Sequence, residues 1–203
     1  ELVQDRRIRE VLEGKAEHIV PPNSQKYQPC RVAFLHNPQV GKLLSTAADR
    51  VPRLVEESGS GPIFGPFFLP SENSVYVGQL QGDQRVGRGL LICLTGGRLK
   101  YCYEGGFEAD LPGRQGRYLL VSGDCYVGEI SAGTCAGQGT LYRAEPGTRY
   151  TGSFRADLPH GEGREEWPDG SLYEGGFSHG LKDGRGTLSS DGHIMEGTFR
   201  EGE

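Results

Sequence analysis

The chain has 203 residues, of which 33 are glycine and 24% are charged, and its formal net charge is −5. Glycine is about twice as frequent as usual, while nine tyrosines and eight phenylalanines are too many for a disordered chain. No run approaches the roughly 18–20 apolar residues of a membrane-spanning helix, residues 1–10 lack the apolar core of a signal peptide, and the acidic balance argues against general nucleic-acid binding.

Residues 1–60 are predicted to form a helical and extended N-terminal extension. One side of a helical wheel is apolar, which predicts an amphipathic helix over residues 1–14; its apolar residues are Leu2, Val3, Ile8, Val11 and Leu12. A short strand is expected over residues 32–35, a second helix over 40–49 and extended linker at 21–23 and 28–29. We expect this region to pack on the following domain and to cover an open sheet edge; docking of the first helix on a partner's helix is the alternative.

A domain boundary is predicted where the composition of the chain changes. Residues 58–62 read Ser-Gly-Ser-Gly-Pro, and two more prolines follow at Pro66 and Pro70. Of the 33 glycines, 28 lie after residue 70. Because glycine and proline are the strongest local markers of boundaries, the second domain is placed at residues 61–203.

An internal repeat fills this second domain. Each copy has a tyrosine, a glycine two residues later and an apolar residue two further on. The repeat-defining pairs are Tyr76 and Gly78, Tyr103 and Gly105, Tyr126 and Gly128, Tyr150 and Gly152, and Tyr173 and Gly175; a sixth copy has Met195 before Gly197. A Gly-x-Gly follows eleven residues after the tyrosine in four of the five tyrosine copies, and Arg114 replaces its first glycine in the second copy.

This spacing predicts consecutive antiparallel hairpins in a single sheet. Residues at i, i+2 and i+4 of a strand share a face, so the tyrosine, glycine and apolar residue of a copy point the same way. A turn of five or six residues is expected next, with the Gly-x-Gly on the returning strand. Because glycine in a strand is costly, we expect a ring from the neighbouring copy to fill its empty side. Stacking between neighbours then stabilises an elongated all-β solenoid of twelve strands.

The pattern resembles the MORN repeat. Tyr-x-Gly-x-Phe followed by Gly-x-Gly occurs at residues 150–163 and 173–186. The segments His-Gly-Glu-Gly at 160–163, Trp-Pro-Asp-Gly at 167–170 and Tyr-Glu-Gly-Gly-Phe at 173–177 are similar to the family consensus. The resemblance implies a single-sheet MORN-repeat solenoid with copies starting at residues 76, 103, 126, 150, 173 and 195. A degenerate copy is expected from about residue 62, with Phe64, Phe67 and Leu69 in its first strand.

No catalytic constellation, cofactor site or metal site is predicted. Gly41 and Lys42 lack the rest of a phosphate-binding loop, and the five cysteines contain no Cys-x-x-Cys pair, which indicates reduced thiols. The other candidates fall on strands and turns without an evident cleft; they are His160 with His179, Glu165 with Glu166, Asp157 with Glu162, and Cys125 with Cys135. We therefore predict a protein that is not an enzyme and needs no cofactor.

Surfaces for partners are predicted at three places. Tyr126, Tyr150, Phe154, Tyr173 and Phe177 are expected mainly to fill the core, and where the sheet curves their edges can line a groove for an apolar helix or extended peptide. The acidic repeats favour a partner segment with Lys or Arg. The strand that starts at Met195 is expected to be an unpaired edge, which suggests a homodimer. Arg85, Arg88, Arg98 and Lys100 are candidate lipid-binding residues in the first repeat.

The resemblance implies partners in the cytoskeleton or at membranes, because similar proteins include radial-spoke head components of cilia, flagellar scaffolds and membrane-tethering junctophilins. We expect a non-catalytic scaffold or adaptor in a cytoplasmic, cytoskeletal assembly, with the axoneme of a cilium or flagellum as the favoured location. The alternative is a regulatory or lipid-contacting module of a larger membrane-associated protein or enzyme.

Overall fold

The computed structural model describes residues 6–12, 26, 28–29 and 61–202. These residues form one helix and a thirteen-stranded antiparallel sheet whose strands follow one another in chain order. The elements are helix α1 Arg6–Leu12 and strands β1 Gln28–Pro29, β2 Phe64–Leu69, β3 Ser74–Gln81, β4 Gln84–Thr95, β5 Arg98–Glu108, β6 Leu111–Leu120, β7 Cys125–Ser131, β8 Thr134–Tyr142, β9 Arg149–Arg155, β10 Leu158–Glu166, β11 Leu172–Ser178, β12 Leu181–Ser190 and β13 His193–Phe199. The predicted all-β fold of consecutive hairpins is confirmed.

The described part of the N-terminal extension contacts the start of the sheet. Residues 28–29, which were predicted as linker, instead form strand β1, and its pairing with β2 covers the sheet edge, as expected of the N-terminal extension. Helix α1 lies within the predicted helix, its Ile8 and Val11 are buried, and Arg7 donates a hydrogen bond to the backbone oxygen of Gly61. The helix predicted over residues 40–49 and the strand predicted over 32–35 lie outside the described residues.

The turns within the hairpins are shorter than the five or six residues predicted. Arg155 pairs with Leu158, so that Ala156 and Asp157 alone form the turn, with φ of 48° and 68°. Positive φ at both positions is the type I′ geometry, which matches the right-handed twist of paired strands. The residues assigned to a longer turn belong instead to a β-bulge in the returning strand, which follows Pro159.

The first glycine of each Gly-x-Gly lies in this bulge. The φ angle is 62° at Gly137, 80° at Gly161 and 92° at Gly184, a left-handed conformation that is costly for residues with a Cβ. Arg114, which replaces this glycine in the second copy, takes the same conformation with φ of 60°. The first glycine therefore bends the strand, whereas the second lies in its regular part.

Each hairpin turn is also hydrogen-bonded to the preceding hairpin. The amide of Asp110 donates to the backbone oxygen of Arg85 at 3.1 Å. Equivalent bonds run from Gly133 to Pro112, from Asp157 to Cys135, from Gly180 to Pro159 and from Gly202 to Lys182. The turns thus join successive copies outside the strand ladder.

A continuous row of glycines crosses the sheet from β3 to β13. Each lies opposite the next, in the order Gly78, Gly89, Gly105, Gly116, Gly128, Gly139, Gly152, Gly163, Gly175, Gly186 and Gly197. A Cβ on Gly105 or Gly152 would lie 2.5 Å from the Cα of the opposite glycine. A side chain here would therefore push neighbouring strands apart.

The tyrosines of the repeat lie on one side of the sheet, which we call face A. Each ring covers the two row glycines of its own hairpin; a Cβ on Gly128 or on Gly139 would meet Tyr126. The hydroxyl donates to the backbone oxygen three residues later, as from Tyr150 to Ser153 at 2.9 Å. The expectation that the neighbouring copy supplies the ring is wrong, because this local bond holds each ring over its own hairpin.

Neighbouring hairpins meet on face A through the phenylalanines. The ring of Phe154 lies edge-on against Tyr126 of the preceding hairpin and against Tyr150 of its own, with centroids 4.9 and 5.1 Å apart. Phe177 makes the same contacts with Tyr150 and Tyr173. Such pairs contribute about 0.5–1.5 kcal/mol beyond burial, so each phenylalanine stabilises the contact between two copies.

The opposite side of the sheet, face B, changes character along the array. Over β2–β7 it carries a second buried apolar cluster, which consists of Ile8 and Val11 of α1 with Ile63, Val75, Val77, Leu90, Ile92, Leu99, Cys102, Leu119 and Cys125. Beyond β7 the cross-strand row that begins with Val77 continues as Thr140, Thr151, Arg164, Glu174, Thr187 and Glu196. Face B is therefore buried and mainly apolar in the first half, where the row also holds the buried pair of Glu104 and Arg117, and polar in the second half.

Candidate functional site

The aromatic residues expected to line a partner groove lie in the interior of face A. Tyr126, Tyr150, Phe154, Tyr173 and Phe177 are each at most 5% exposed. They fill the space above the glycine row, which is the core role that the sequence also indicated. Their role in binding stays a prediction, and a partner on this face would mainly contact the residues that surround the rings.

A cluster of three charged side chains lies among these rings in the second half of face A. The carboxylate of Glu165 is 3.3 Å from Nη1 of Arg143 and 3.5 Å from Nζ of Lys182. The side chains are 34% exposed for Arg143, 20% for Lys182 and 14% for Glu165. The cluster thus joins three successive hairpins through one partly buried carboxylate.

Aromatic rings form one wall of this cluster. The Nζ atom of Lys182 is 4.3 Å from the ring centroid of Trp167 and 5.4 Å from that of Tyr173. An ammonium at this distance from a ring face is attracted by the ring quadrupole. Lys182 is therefore held between a carboxylate and two rings.

A second charged group with similar placement occurs at the first hairpin. Arg85 is buried beneath a bidentate pair with Glu72, at 2.7 and 3.0 Å, and lies 3.4 Å from Asp110. Lys26 donates a hydrogen bond to Asp110 at 2.6 Å. Burial acts to raise the pKa of Asp110, but the hydrogen bonds from Lys26 and from the Arg85 amide outweigh it and lower the pKa. This group ties the N-terminal extension to the repeats.

The four candidate lipid-binding residues do not form one basic patch. Arg85 is 4% exposed and already paired with Glu72. Arg85 lies near the start of β4, whereas Arg98 begins β5 next to the far end of β4. The two residues are therefore about 30 Å apart along the strand. Arg88 is half-buried, while Arg98 and Lys100 are exposed. Their grouping in the sequence does not become a grouping in space, because β4 is twelve residues long.

The carboxylates and histidines considered for catalysis have different surroundings in the structure. Glu165 and Glu166 lie on opposite faces because they are adjacent in β10. Burial opposes ionisation of Glu166, but hydrogen bonds from Arg149 and Arg164 outweigh it and lower its pKa. Asp157 accepts a hydrogen bond from the Cys135 amide. The rings of His160 and His179 do lie together, with centroids 5.8 Å apart.

Two cysteines that the sequence placed near each other are separated by the sheet. Cys125 belongs to the buried cluster of face B and Cys135 to that of face A. Burial raises the pKa of Cys102, Cys125 and Cys135 to about 12 in each case. These thiols therefore stay protonated near neutral pH, which is unfavourable for a nucleophile.

Metal sites, membrane-spanning helices and strand partners for the outer edge of β13 are absent from the part of the chain that the structure describes. No group of three or more His, Cys, Asp or Glu side chains could hold a metal ion there. None of its helical residues forms a segment long and apolar enough to cross a membrane. No strand pairs with the outer edge of β13 among these residues, where Ile194 and Met195 are exposed; the predicted homodimer through this edge stays a prediction.

The charged cluster of Arg143, Glu165 and Lys182 was missed by sequence reasoning, although the repeat contains a signal for it. The fifteenth residue after each starting tyrosine is Leu91, Tyr118, Leu141, Glu165 and Leu188 in the five copies. The ninth is Arg85, Pro112, Cys135, Pro159 and Lys182. Aligning the copies position by position would have singled out Glu165 as an acid in an otherwise apolar row of face A.

The comparison with protein families agrees with this geometry. The MORN repeat model matches residues 76–98, 103–125, 126–145, 150–172 and 173–194, and each match begins at one of the five predicted tyrosines. No curated protein matches the chain significantly. Repeats of this family indicate a protein-interaction or membrane-contacting module. Because the matches cover more than half of the residues and the sheet has the expected hairpins, the chain belongs to the MORN-repeat family.

Proposed function

We propose that this protein is a non-catalytic scaffold or adaptor in a cytoskeletal assembly, with a ciliary or flagellar axonemal complex such as a radial spoke as the favoured setting. The observation that carries the scaffold role is the unbroken glycine row, through which all copies form one sheet. Equivalent positions in neighbouring copies are two strands, or about 10 Å, apart. Partners that bind different copies would be held at a set spacing.

The non-catalytic part of the proposal is supported by the surroundings of the chemically reactive side chains. Burial raises the pKa values of Cys102, Cys125 and Cys135, and the neighbouring Asp157 carboxylate acts to raise that of Cys135 further, so that these thiols stay protonated. The five repeat tyrosines donate to backbone oxygens of their own hairpins. These groups are used in packing.

The proposal is tested by fractionating a ciliated cell that expresses the full-length tagged protein. We expect the protein to remain with axonemes after detergent removes the membrane, and to leave them together with an axonemal subcomplex when salt is raised. Release by detergent alone would contradict the cytoskeletal role and favour membrane contact. The Gly152→Ala variant serves as the matched control, because it disturbs the sheet and should lose retention while keeping all surface charges.

A further inference from the structure

Glu165 is an exception in the row of residues that separates the tyrosine rings on face A. It pairs across the sheet with Tyr150 on one side and Tyr173 on the other. Leucine or tyrosine occupies this position in the other four copies. A largely buried acid costs free energy unless it is paired, and both of its ion-pair partners within the described residues are cations of neighbouring hairpins, Arg143 and Lys182.

This cluster contains more positive than negative charge. Among the residues that the structure describes, the two cations Arg143 and Lys182 share the carboxylate of Glu165. At the first hairpin the balance is even, since Arg85 and Lys26 face Glu72 and Asp110. Arg85 is also closed off, with 5% of its side chain exposed, whereas Arg143 and Lys182 are 34% and 20% exposed. The cluster in the second half therefore presents an excess cation that solvent or a partner can reach.

Apolar side chains surround this excess charge. Leu141, Trp167 and Leu188 are partly buried and pack against the aromatic cluster of face A. A charge in such surroundings is screened less than an exposed one, so it interacts more strongly with an opposite charge. The surface combines apolar contact area with one point of positive charge.

We propose that face A over β8–β12 binds a protein segment that carries an acidic side chain flanked by apolar residues, with the acid paired to Lys182 and Arg143. This inference rests on the proposed role as a protein-interaction module and specifies the chemistry of the partner. It differs from the basic partner that the overall acidic charge favours, because the acids beyond β7 mostly lie on face B and in turns. The local charge on face A, not the net charge, selects the partner.

The proposal is tested with random peptides displayed on phage and selected against the full chain. We expect the selected peptides to be enriched in Asp or Glu next to Leu, Ile or Phe. Synthetic copies of the best peptides are then titrated against variants. Lys182→Met keeps an apolar stem over Trp167 and Tyr173 and is expected to weaken binding about tenfold, which is the effect of losing one favourable charge pair.

Two further variants separate a local charge effect from a general one. Arg185→Met removes the same charge from an exposed residue of β12 that pairs with Thr198 on face B, and it is expected to leave binding unchanged. Glu165→Leu restores the residue found in other copies and frees both cations, so that it is expected to tighten binding severalfold. Thermal unfolding of each variant verifies that the sheet is intact.

The outcomes distinguish this inference from the proposed function. Enrichment of basic or uncharged peptides, or equal affinity of the Lys182→Met and wild-type proteins for acidic ones, would overturn the inference while leaving a scaffold role in place. Selection of no peptide at all would also overturn it. In that case the fractionation of axonemes decides the proposed function separately, because it does not depend on which face is used.

Discussion

Strands β2–β7 and β8–β13 are built from the same repeat but bury different parts of their surface. In both halves the tyrosines and phenylalanines of face A cover the glycine row. On face B, Val77 and Leu90 lie in a second apolar cluster with α1, whereas the same cross-strand row carries Arg164 and Glu174 further along. The comparison teaches that the repeat signature specifies one face of the sheet, and that the other face is free to vary.

The same type of cross-strand ion pair occurs in both halves, buried in one and exposed in the other. Glu104 pairs with Arg117 at 2.6 Å, with 1% and 0% of the side chains exposed. Arg164 pairs with Glu174 at 2.9 Å on the same row, and both side chains are about half exposed. Comparing how much these two ion pairs contribute to the free energy of unfolding tests whether burial of face B differs between the two halves.

The largest effect is expected when the buried pair is broken. Arg117→Met removes the guanidinium that pairs with the buried Glu104 carboxylate, and we expect the free energy of unfolding to fall by about 4 kcal/mol. Arg164→Met, the matched change in the second half, is expected to leave the free energy of unfolding almost unchanged, because solvent screens an exposed ion pair. Chemical denaturation of both variants measures the difference; equal losses would mean that face B is not buried differently in the two halves.

Two isoleucines provide the apolar version of this test. Ile92 and Ile194 lie on the same cross-strand row of face B, at 0% and 70% exposure. We expect Ile92→Ala to lower the free energy of unfolding by about 3 kcal/mol, because it leaves a cavity in the second cluster. Ile194→Ala removes the same atoms from an exposed strand and is expected to change stability by less than about 0.5 kcal/mol. A small effect at Ile92 would argue against the second core.

The glycine row should behave alike in both halves. A Cβ at Gly105 or at Gly152 meets the opposite glycine Cα at 2.5 Å and a backbone oxygen at 2.6 Å. We therefore expect Gly105→Ala and Gly152→Ala to cost about 2 kcal/mol each. Gly197→Ala is the control, since nothing lies within 4 Å of its Cβ position. Unequal losses at Gly105 and Gly152 would show that face A is not equivalent along the array.

The smallest effect concerns a tyrosine hydroxyl and depends on pH. Tyr150→Phe removes the bond to Ser153, and we expect a loss of about 1 kcal/mol at neutral pH. Burial raises the pKa of Tyr150 from 10.0 to about 12. The folded state therefore favours the protonated hydroxyl, and its contribution to stability is complete below pH 10 and is lost as the pH rises towards 12.

The variant without this hydroxyl is expected to lose less stability than the wild-type protein over the same interval. Unfolding by denaturant at neutral pH and between pH 10 and 12 measures both slopes, with tyrosinate absorbance to follow ionisation. Tyr103 and Tyr126 also have raised pKa values because of burial, so a decline should persist in the variant. Parallel slopes for the two proteins would show that the pKa of Tyr150 is the same in the folded and unfolded states, which would contradict the prediction.

The strand order, the starts of the repeats and the shared face of tyrosine, glycine and phenylalanine followed from residue spacing. The period of two within a strand and the regular return of tyrosine and glycine leave few alternatives to consecutive hairpins. The type I′ turns were missed because Ala156 and Asp157 are not the Asn-Gly or Gly-Gly pairs that usually indicate positive φ. The covering of each glycine by its own tyrosine was missed because it depends on the hydroxyl bond, which spacing does not reveal.

The charged cluster of face A was harder to predict because it depends on three copies at once. Arg143, Glu165 and Lys182 belong to successive hairpins and are 22 and 17 residues apart along the chain. Each is unremarkable within its own copy. Their meeting follows from the cross-strand register, which places residues of adjacent hairpins side by side.

The bonds between hairpin turns have a consequence for how such a chain changes over generations. Each turn donates to the returning strand of the copy before it, as Gly180 does to Pro159 and Gly202 to Lys182. Since a copy needs only its immediate neighbours, unequal recombination can remove or duplicate one without rebuilding the others. The number of repeats can therefore change by one hairpin at a time over evolution. Each such change alters the length of the sheet and the distance between its two ends.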